Sequence, residues 1–208
     1  KEKIIDATRL LKETLSISMS PQSMNPKVLE NISRSNIKLE HMKSISKELS
    51  NQGRPQNAEI IMPLPEETLE THINGLAELV DTDVSSVMSH QLQMLHGTPY
   101  LDDKEYVKKY AYETRYRLVP LDYGKYDGTY VFDYEKIAIA TNTFSFKDYI
   151  NARKFLFTIG ICSNSNTFLP LKKYLVSNNF KKSNWIKYIS EILDKFDVSL
   201  KNVFKSNN

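Results

Sequence analysis

"EIIMPLPEET", residues 59–68, joins a short apolar run to a turn with two prolines. The run that begins at Ala58 is apolar enough for a short buried strand. The segment that follows, EETLETHINGLAELVD, places Leu69, Ile73, Leu76 and Val80 on one helical face. The stretch therefore predicts a buried strand, a rigid turn and an amphipathic helix in direct succession.

Two other segments alternate between apolar and polar residues, which is the periodicity of a strand. In residues 14–20 the alternation sets Leu15, Ile17 and Met19 against Ser16, Ser18 and Ser20. In residues 84–95 it sets Met88, His90, Leu92 and Met94 against Ser89, Gln91 and Gln93. We expect the apolar set of each strand to face the helices.

Helices are predicted between these strands and before the first one. Asn25 suits an N-cap and Pro26 the first helical position, while Gly53 suits the end of a helix over residues 39–51. An opening helix is predicted over residues 1–14. Strands that alternate with helices are typical of parallel βα units.

The polar faces of the strands decide between two kinds of sheet. In βα units the helices cover one face of the sheet, and an open sheet needs apolar helices on its other face too. A barrel instead turns the second face toward a lumen, so serines and glutamines there favour a barrel-like sheet that binds a ligand at the carboxyl ends of its strands. Alternation alone also permits a solvated edge strand at the serines, an exposed Glu59, and surface positions for Gln91 and Gln93.

The chain divides into three segments. Residues 1–100 form the βα segment, and residues 101–145 form a tyrosine-rich segment that is irregular apart from a turn and a short strand. Residues 146–208 form a helical extension. Its last helix is predicted to place on one face Trp185, Ile189, Leu193, Phe196 and Leu200.

Composition excludes several classes of protein. A net charge of +3 gives no concentrated basic footprint, and in KEYVKKYAYETRYR (residues 104–117) nearby acids balance the lysines and arginines, so we expect no nucleic acid as partner. The sequence shows neither a membrane-spanning apolar run nor a signal peptide, so we expect no membrane partner. A single cysteine, Cys162, excludes a disulfide framework and favours a cytoplasmic location.

Three stretches in this order together resemble one family. They are SMSPQSMNPKVLENISRSNI (residues 18–37), AEIIMPLPEETLETHINGL (58–76) and HQLQMLHGTPY (90–100). Their order and spacing resemble the later part of the radical S-adenosylmethionine (SAM) enzyme barrel, in the branch that often has a cobalamin-binding domain. RYRLVPLDYGKYDG and IAIATNTFSFKDYINARKF resemble the same branch, so the similarity spans residues 14–164.

The resemblance implies a fold and a SAM site. The fold would be the C-terminal part of a partial (β/α)6, TIM-like barrel, followed by the mostly helical extension. SAM would lie across the strand ends, with its ribose and methionine portions near the first strand here and its adenine near the last. The residues that match the family's SAM-contacting segments are Ser18, Ser20, Gln22, Glu59, Glu67, Gln91 and Gln93.

The chain departs from the family pattern at two places. In the family's glycine–leucine–proline–glycine–glutamate–threonine turn, both glycines are replaced, by Pro63 and Glu66. Pro63 has no N–H to offer SAM, and Glu66 adds a charge near a zwitterion. The three cysteines that bind the family's four-iron four-sulfur ([4Fe-4S]) cluster are also missing, and we expect no metal site in this chain. Because Lys1 opens the sequence, we expect a fragment whose missing N-terminal remainder binds the cluster.

The resemblance implies an enzyme that cleaves SAM reductively and abstracts hydrogen from a small-molecule substrate through a 5′-deoxyadenosyl radical. Cobalamin is a further cofactor of this branch. Arg115 and Arg117 are candidates for binding an anionic substrate. The alternative is a cluster-free, degenerate barrel that binds a ligand or partner without radical chemistry. A helical scaffold without a ligand is the least specific option.

Overall fold

The computed structural model describes residues 17–36, 38–82 and 84–195, together with Asp6 and Leu10. The chain forms a mixed α/β structure with two small sheets. The strands are β1 (Ile17–Gln22), β2 (Gln56–Met62), β3 (Ser86–Gln91), β4 (Glu113–Tyr126) and β5 (Thr129–Ala140). The predicted opening helix lies outside the described residues, apart from these two single positions, and so do Leu15, Ser16, Phe196 and Leu200.

Eight α-helices connect or follow the strands in the described ranges. They are α1 (Pro26–Asn31), α2 (Leu39–Asn51), α3 (Leu69–Val80), α4 (Pro99–Asp102), α5 (Lys104–Lys109), α6 (Phe146–Ile159), α7 (Leu169–Ser177) and α8 (Lys182–Ile192). A π-helical turn, Gly160–Asn164, follows α6, and a 3₁₀ turn, Leu193–Lys195, follows α8. The helix predicted to begin at Pro26, the helix over residues 39–51 and the helix predicted within EETLETHINGLAELVD are confirmed. Asn25 accepts a hydrogen bond from the Lys27 N–H at 3.0 Å as the N-cap of α1.

The first three strands are parallel and lie in sequence order, β1-β2-β3. Helices α2, α3, α6 and α8 cover one face of this sheet. The main hydrophobic core lies between these helices and the sheet. It includes Met42, Ala58, Ile60, Leu76, Leu79, Val87, Phe155 and Ile186. The other face, which we call the open face, presents Ser18, Ser20, Glu59 and His90. This sheet is open in the described residues, so the structure has the predicted α/β character without a closed barrel.

The predicted orientation is right for β1 and wrong for β3. Met19 packs toward the helices and Ser20 faces away from them, as expected. In β3, Ser89 and Gln91 are buried on the helix side, whereas Met88 is 40% exposed on the open face. The physical reason is that α3 and α6 supply polar partners for the two buried side chains. Alternation fixes which residues share a face, but it does not fix which face is buried.

The turn PLPEET connects β2 directly to α3, as predicted. Pro63, Leu64 and Pro65 are buried, and Thr68 caps α3 through a capping box with Thr71. Glu66 has a φ of 65°, in the left-handed region that favours glycine. The Lys27 ammonium lies 2.7 Å from the Glu66 carboxylate. The turn therefore has a glycine-like backbone at Glu66, and the charge of this residue is paired with Lys27.

The tyrosine-rich segment contains a long antiparallel hairpin, where the sequence predicts only a short strand. Its strands have 14 and 12 residues, and Tyr126 pairs with Thr129 across a two-residue turn. Asp127 and Gly128 both have positive φ in that turn, as a tight hairpin requires. Glu113, Arg115 and Arg117 alternate with Thr114, Tyr116 and Leu118, so the sequence has a strand period here but not the apolar face that marks a buried strand.

Asn164, at the end of the π-helical turn, completes the free edge of β3. Its side-chain oxygen accepts from the Val87 N–H at 3.0 Å, and its amide nitrogen donates to the Val87 carbonyl at 2.9 Å. The side chain thus satisfies both backbone groups that a neighbouring strand would otherwise satisfy. The helical extension is attached to the sheet at this point.

We expect Asn164→Ala to lower the free energy of unfolding by about 2 kcal/mol, because two partly buried backbone groups lose their partners. Urea unfolding measures the change. Asn166→Ala, which truncates an exposed neighbour, is the matched control and should change stability by less than about 0.5 kcal/mol. Equal effects of the two variants would show that the Asn164 contact does not stabilise the edge.

None of the helices in the described ranges combines the length and apolar character needed to cross a bilayer.

Candidate functional site

A pocket of about 370 Å³ opens at the carboxyl ends of β1–β3 on the open face. Its size is within the usual range for small-molecule sites. The pocket is lined by Gln22, Glu59, Ile61, His90, Gln91, Leu92, Gln93, Leu95, Thr98, Tyr100 and Arg117. The structure therefore brings five of the nine candidate residues together: Gln22, Glu59, Gln91, Gln93 and Arg117.

Glu59 lies at the centre of the polar side of this pocket. The Ser20 hydroxyl of β1 is 3.5 Å from its Oε2, at the long limit of a hydrogen bond. His90 Nε2 of β3 lies 3.7 Å from the same oxygen. The Glu59 side chain remains 32% exposed. One carboxylate thus connects all three parallel strands while part of it stays accessible to a ligand.

Gln22 ends β1 in an unusual backbone conformation. Its φ is 68°, where non-glycine residues are uncommon, and the β1–β2 register shifts between Met19 and Gln22. The Gln22 amide nitrogen donates to the Ser20 carbonyl at 3.2 Å. The irregularity directs the Gln22 side chain into the pocket wall. Strained backbone of this kind is enriched at functional sites.

The hairpin supplies the opposite wall of the pocket. Arg117 of β4 forms an ion pair with Glu135 of β5, and the Gln93 amide donates to the other oxygen of Glu135. The charge of Arg117 is therefore matched within the protein, which reduces its attraction for an anionic substrate. Arg115 is exposed and donates to the Thr114 carbonyl at 3.1 Å, away from the pocket lining.

Ser18 and Glu67 lie outside the pocket lining, and the side chain of Gln91 is buried against α6. Ser18 is exposed on the open face, toward the amino end of β1. Gln91 contributes to the pocket wall, but it is buried, and its amide donates to the Tyr149 hydroxyl of α6. Glu67 points into the protein at the start of α3 rather than into the pocket.

Glu67 is a buried link between three segments. Its carboxylate accepts from the Ser23 hydroxyl at 2.9 Å and from the Thr71 hydroxyl at 2.8 Å. Its carbonyl accepts from the Thr143 hydroxyl at 2.7 Å. Burial raises the pKa of Glu67, while the hydrogen bonds from Thr71 and Ser23 act in the opposite direction. The residue stabilises the turn beside the pocket.

A Glu67→Gln variant should show a different dependence of stability on pH. Folding raises the pKa of Glu67. The carboxyl therefore makes its full contribution to the free energy of unfolding below the unfolded-state pKa. This contribution is lost as pH rises through the folded-state pKa. We therefore expect the native protein to lose stability relative to E67Q as pH rises from about 4, in urea unfolding. The control, E70Q, alters an exposed acid of α3 and should follow the native curve; an E67Q curve parallel to the native one would contradict this role.

His72 lies behind the sheet and is fully buried on α3. Burial lowers the pKa of His72 to about 3, so its imidazole is neutral. Its Nε2 shares a 3.0 Å hydrogen bond with the Ser89 hydroxyl, and its ring meets Phe144 edge to face. His72 is therefore a packing residue, as expected for a histidine on a helix. His90 belongs to the set of β3 residues that was predicted to face the helices. It instead lines the pocket on the open face.

The described residues contain no group of three or more histidine, cysteine or acidic side chains placed to bind a metal ion. Cys162 is buried against the helix-side core. Burial raises the pKa of the Cys162 thiol, although the nearby Lys172 ammonium lowers it. A buried thiol with a raised pKa is a poor nucleophile and a poor cluster ligand. Cys162 and its surroundings therefore do not fit a [4Fe-4S] cluster.

Sequence reasoning missed His90, which lines the pocket, and Glu135, which contacts the lining residues Arg117 and Gln93. The sequence shows the strand period of β3. The apolar Met88, Leu92 and Met94, however, predict that His90 lies on the helix-covered face, which is wrong. Glu135 joins Arg117 and Gln93 only through the register of the hairpin, which the sequence does not specify. An acid opposite an arginine in an alternating segment was the available indication.

A scan against models of known protein families gives no match, and a search of the curated proteins gives none either. The role of this pocket is therefore inferred from its residues and their geometry, together with the motif resemblance.

Proposed function

We propose that this chain is the C-terminal portion of a radical SAM enzyme, and that its open face forms the wall of a SAM and substrate cavity. In this proposal β1–β3 are the last three strands of a partial (β/α)6 barrel. The observation on which the proposal rests is that polar side chains from all three strands meet in one pocket at the carboxyl ends. Ligands of parallel βα sheets bind at this end.

The pocket has chemical groups that suit SAM. The Glu59 carboxylate can accept from the ribose hydroxyls or from the ammonium group of the methionine portion. The amides of Gln22 and Gln93 combine donors and acceptors, as the edge of an adenine does. Leu92 and Leu95 offer an apolar wall for the faces of the ring. Together these residues would bind and orient SAM and limit the access of water to it.

The described residues do not supply the remaining parts of the enzyme. Since Cys162 does not fit an iron–sulfur cluster, the proposal assigns the cluster to the N-terminal remainder of the same protein, its expected partner. SAM bound in such an enzyme supplies a hydrogen-abstracting radical for a small-molecule substrate. Cobalamin belongs to the proposal only through the motif resemblance, and no residue here is assigned to it.

Equilibrium binding of SAM to the native protein, measured without oxygen, tests the proposal. We expect saturable binding of one SAM per chain and weaker binding of adenosine, which lacks the methionine portion. Failure of SAM to bind would contradict the proposal. Binding of adenosine as tightly as SAM would instead favour a cluster-free protein that recognises a nucleoside.

A further inference from the structure

The hairpin has two chemically different faces. Residues that pair directly across an antiparallel ladder point to the same side. The pairs Leu118–Tyr134, Tyr123–Phe132 and Lys125–Tyr130 therefore share one face, which we call the aromatic face. The opposite face includes Arg117 and Glu135, which border the pocket. The large aromatic and aliphatic side chains of the aromatic face are Tyr116, Leu118, Tyr123, Tyr130, Phe132 and Tyr134, and Lys125 and Lys136 lie on the same face.

Contacts within the aromatic face agree with this assignment. The Tyr123 and Phe132 rings stack with centroids 6.0 Å apart, and Tyr116 meets Tyr134 edge to face at 5.6 Å. The Lys125 ammonium lies 5.3 Å from the centre of the Tyr130 ring. The rings thus form a continuous, internally ordered surface along the hairpin.

The six large aromatic and aliphatic side chains of the aromatic face are mostly exposed to solvent. Their exposed fractions run from 51% at Phe132 to 70% at Tyr134. The sheet has two strands, and two-stranded hairpins are only marginally stable in water. Contiguous apolar patches of this kind mark interaction surfaces.

We propose that the aromatic face packs against the same face of a second copy of this chain, so that the native protein is a two-fold symmetric dimer joined through its hairpins. At about 200 Å² for a fully buried aromatic side chain, the exposed fractions of the six large residues sum to about 750 Å². A standard interface buries about 800 Å² on each partner. One aromatic face therefore has nearly the area that one partner buries in a standard interface.

The chemistry of the face is self-complementary. Tyrosine hydroxyls both donate and accept hydrogen bonds, so a tyrosine face can pair with its own copy. With the two hairpins antiparallel across a two-fold axis, Lys125 near the tip of one lies over the Tyr116–Tyr134 pair near the base of the other. A lysine over aromatic rings is a favourable arrangement, and it repeats by symmetry. This inference is independent of the proposed SAM chemistry.

Sedimentation equilibrium of the native protein tests the proposal, with two matched double variants. Tyr123→Ser with Phe132→Ser removes the centre of the aromatic face. Tyr126→Ser with Val131→Ser removes side chains of comparable exposure, 68% and 44%, from the opposite face. We expect a concentration-dependent dimer whose dissociation constant rises at least about 100-fold in the first variant, since buried aromatics dominate interface energy. The second variant should remain within about threefold of the native value.

A protein that stays monomeric throughout the concentration series overturns the proposal, as do equal effects of the two double variants. Phe132→Lys provides a second test, because it places like charges near the two-fold axis while a lysine is readily tolerated on an exposed strand. Its dimer should weaken most at low salt. A monomer whose aromatic-face tyrosines resist nitration would assign the surface to another part of the native polypeptide, which also overturns the dimer.

Discussion

Glu59→Gln is expected to weaken SAM binding by the native protein about 10–100-fold, because it removes the carboxylate in the proposed site. Gln has nearly the same shape, and Glu59 is only half-buried, so the fold should be preserved. The remaining amide also retains one acceptor toward Ser20. Isothermal titration under anaerobic conditions measures the change.

The matched control for this variant is Glu78→Gln, which makes the same chemical change on the exposed side of α3. We expect its SAM affinity to equal that of the native protein. If E59Q bound SAM as tightly as E78Q, Glu59 would have no part in a SAM site, and the central contact of the proposal would be lost.

Protonation of His72 is expected to account for the largest loss of stability in acid. Its folded-state pKa, about 3, is below the ordinary value of 6.5. Between pH 6.5 and pH 3 the unfolded chain therefore binds a proton at His72 that the folded protein does not bind. The free energy of unfolding falls as pH drops through this range. At ~1.4 kcal/mol for each pH unit, about 3 kcal/mol is lost between pH 7 and pH 4.

His72→Gln tests this expectation, since glutamine can still share a hydrogen bond with the Ser89 hydroxyl but does not titrate. Urea unfolding between pH 4 and pH 7 should show less acid sensitivity in H72Q than in the native protein, even if H72Q is less stable overall. His41→Gln, on the exposed face of α2, is the control. An H72Q profile with the native acid sensitivity would mean that His72 is accessible to protons in the folded state.

The first half of the fold could be predicted because local patterns and tertiary packing agree there. The helix cap at Asn25, the βα succession and the turn at residues 63–68 all follow from side chains acting on their own neighbourhood. The orientation of β3 could not be predicted in this way. Its outcome depends on His72 and Tyr149, which contact Ser89 and Gln91 from 17 and 58 residues away along the chain.

The candidate site was predictable to a similar extent. Gln22 ends β1, Gln93 lies two residues after β3, and Glu59 is near the middle of β2. Neighbouring parallel strands bring such positions close together toward their carboxyl ends. Glu67 has the same chemistry in the sequence, but it turns inward because Ser23 and Thr71 satisfy its oxygens. The ion pair between Arg117 and Glu135 depends on the hairpin register, which has an irregularity between Leu118 and Tyr123 that sequence patterns do not encode.

The measurement that tests the central claim most directly is the conversion of SAM by the native protein in the presence of a strong reductant and without oxygen. The proposal predicts equal amounts of 5′-deoxyadenosine and methionine, with a lower rate at limiting SAM for Glu59→Gln and a native rate for Glu78→Gln. A native protein that binds SAM but leaves it intact would contradict radical chemistry and establish the cluster-free ligand-binding alternative in its place.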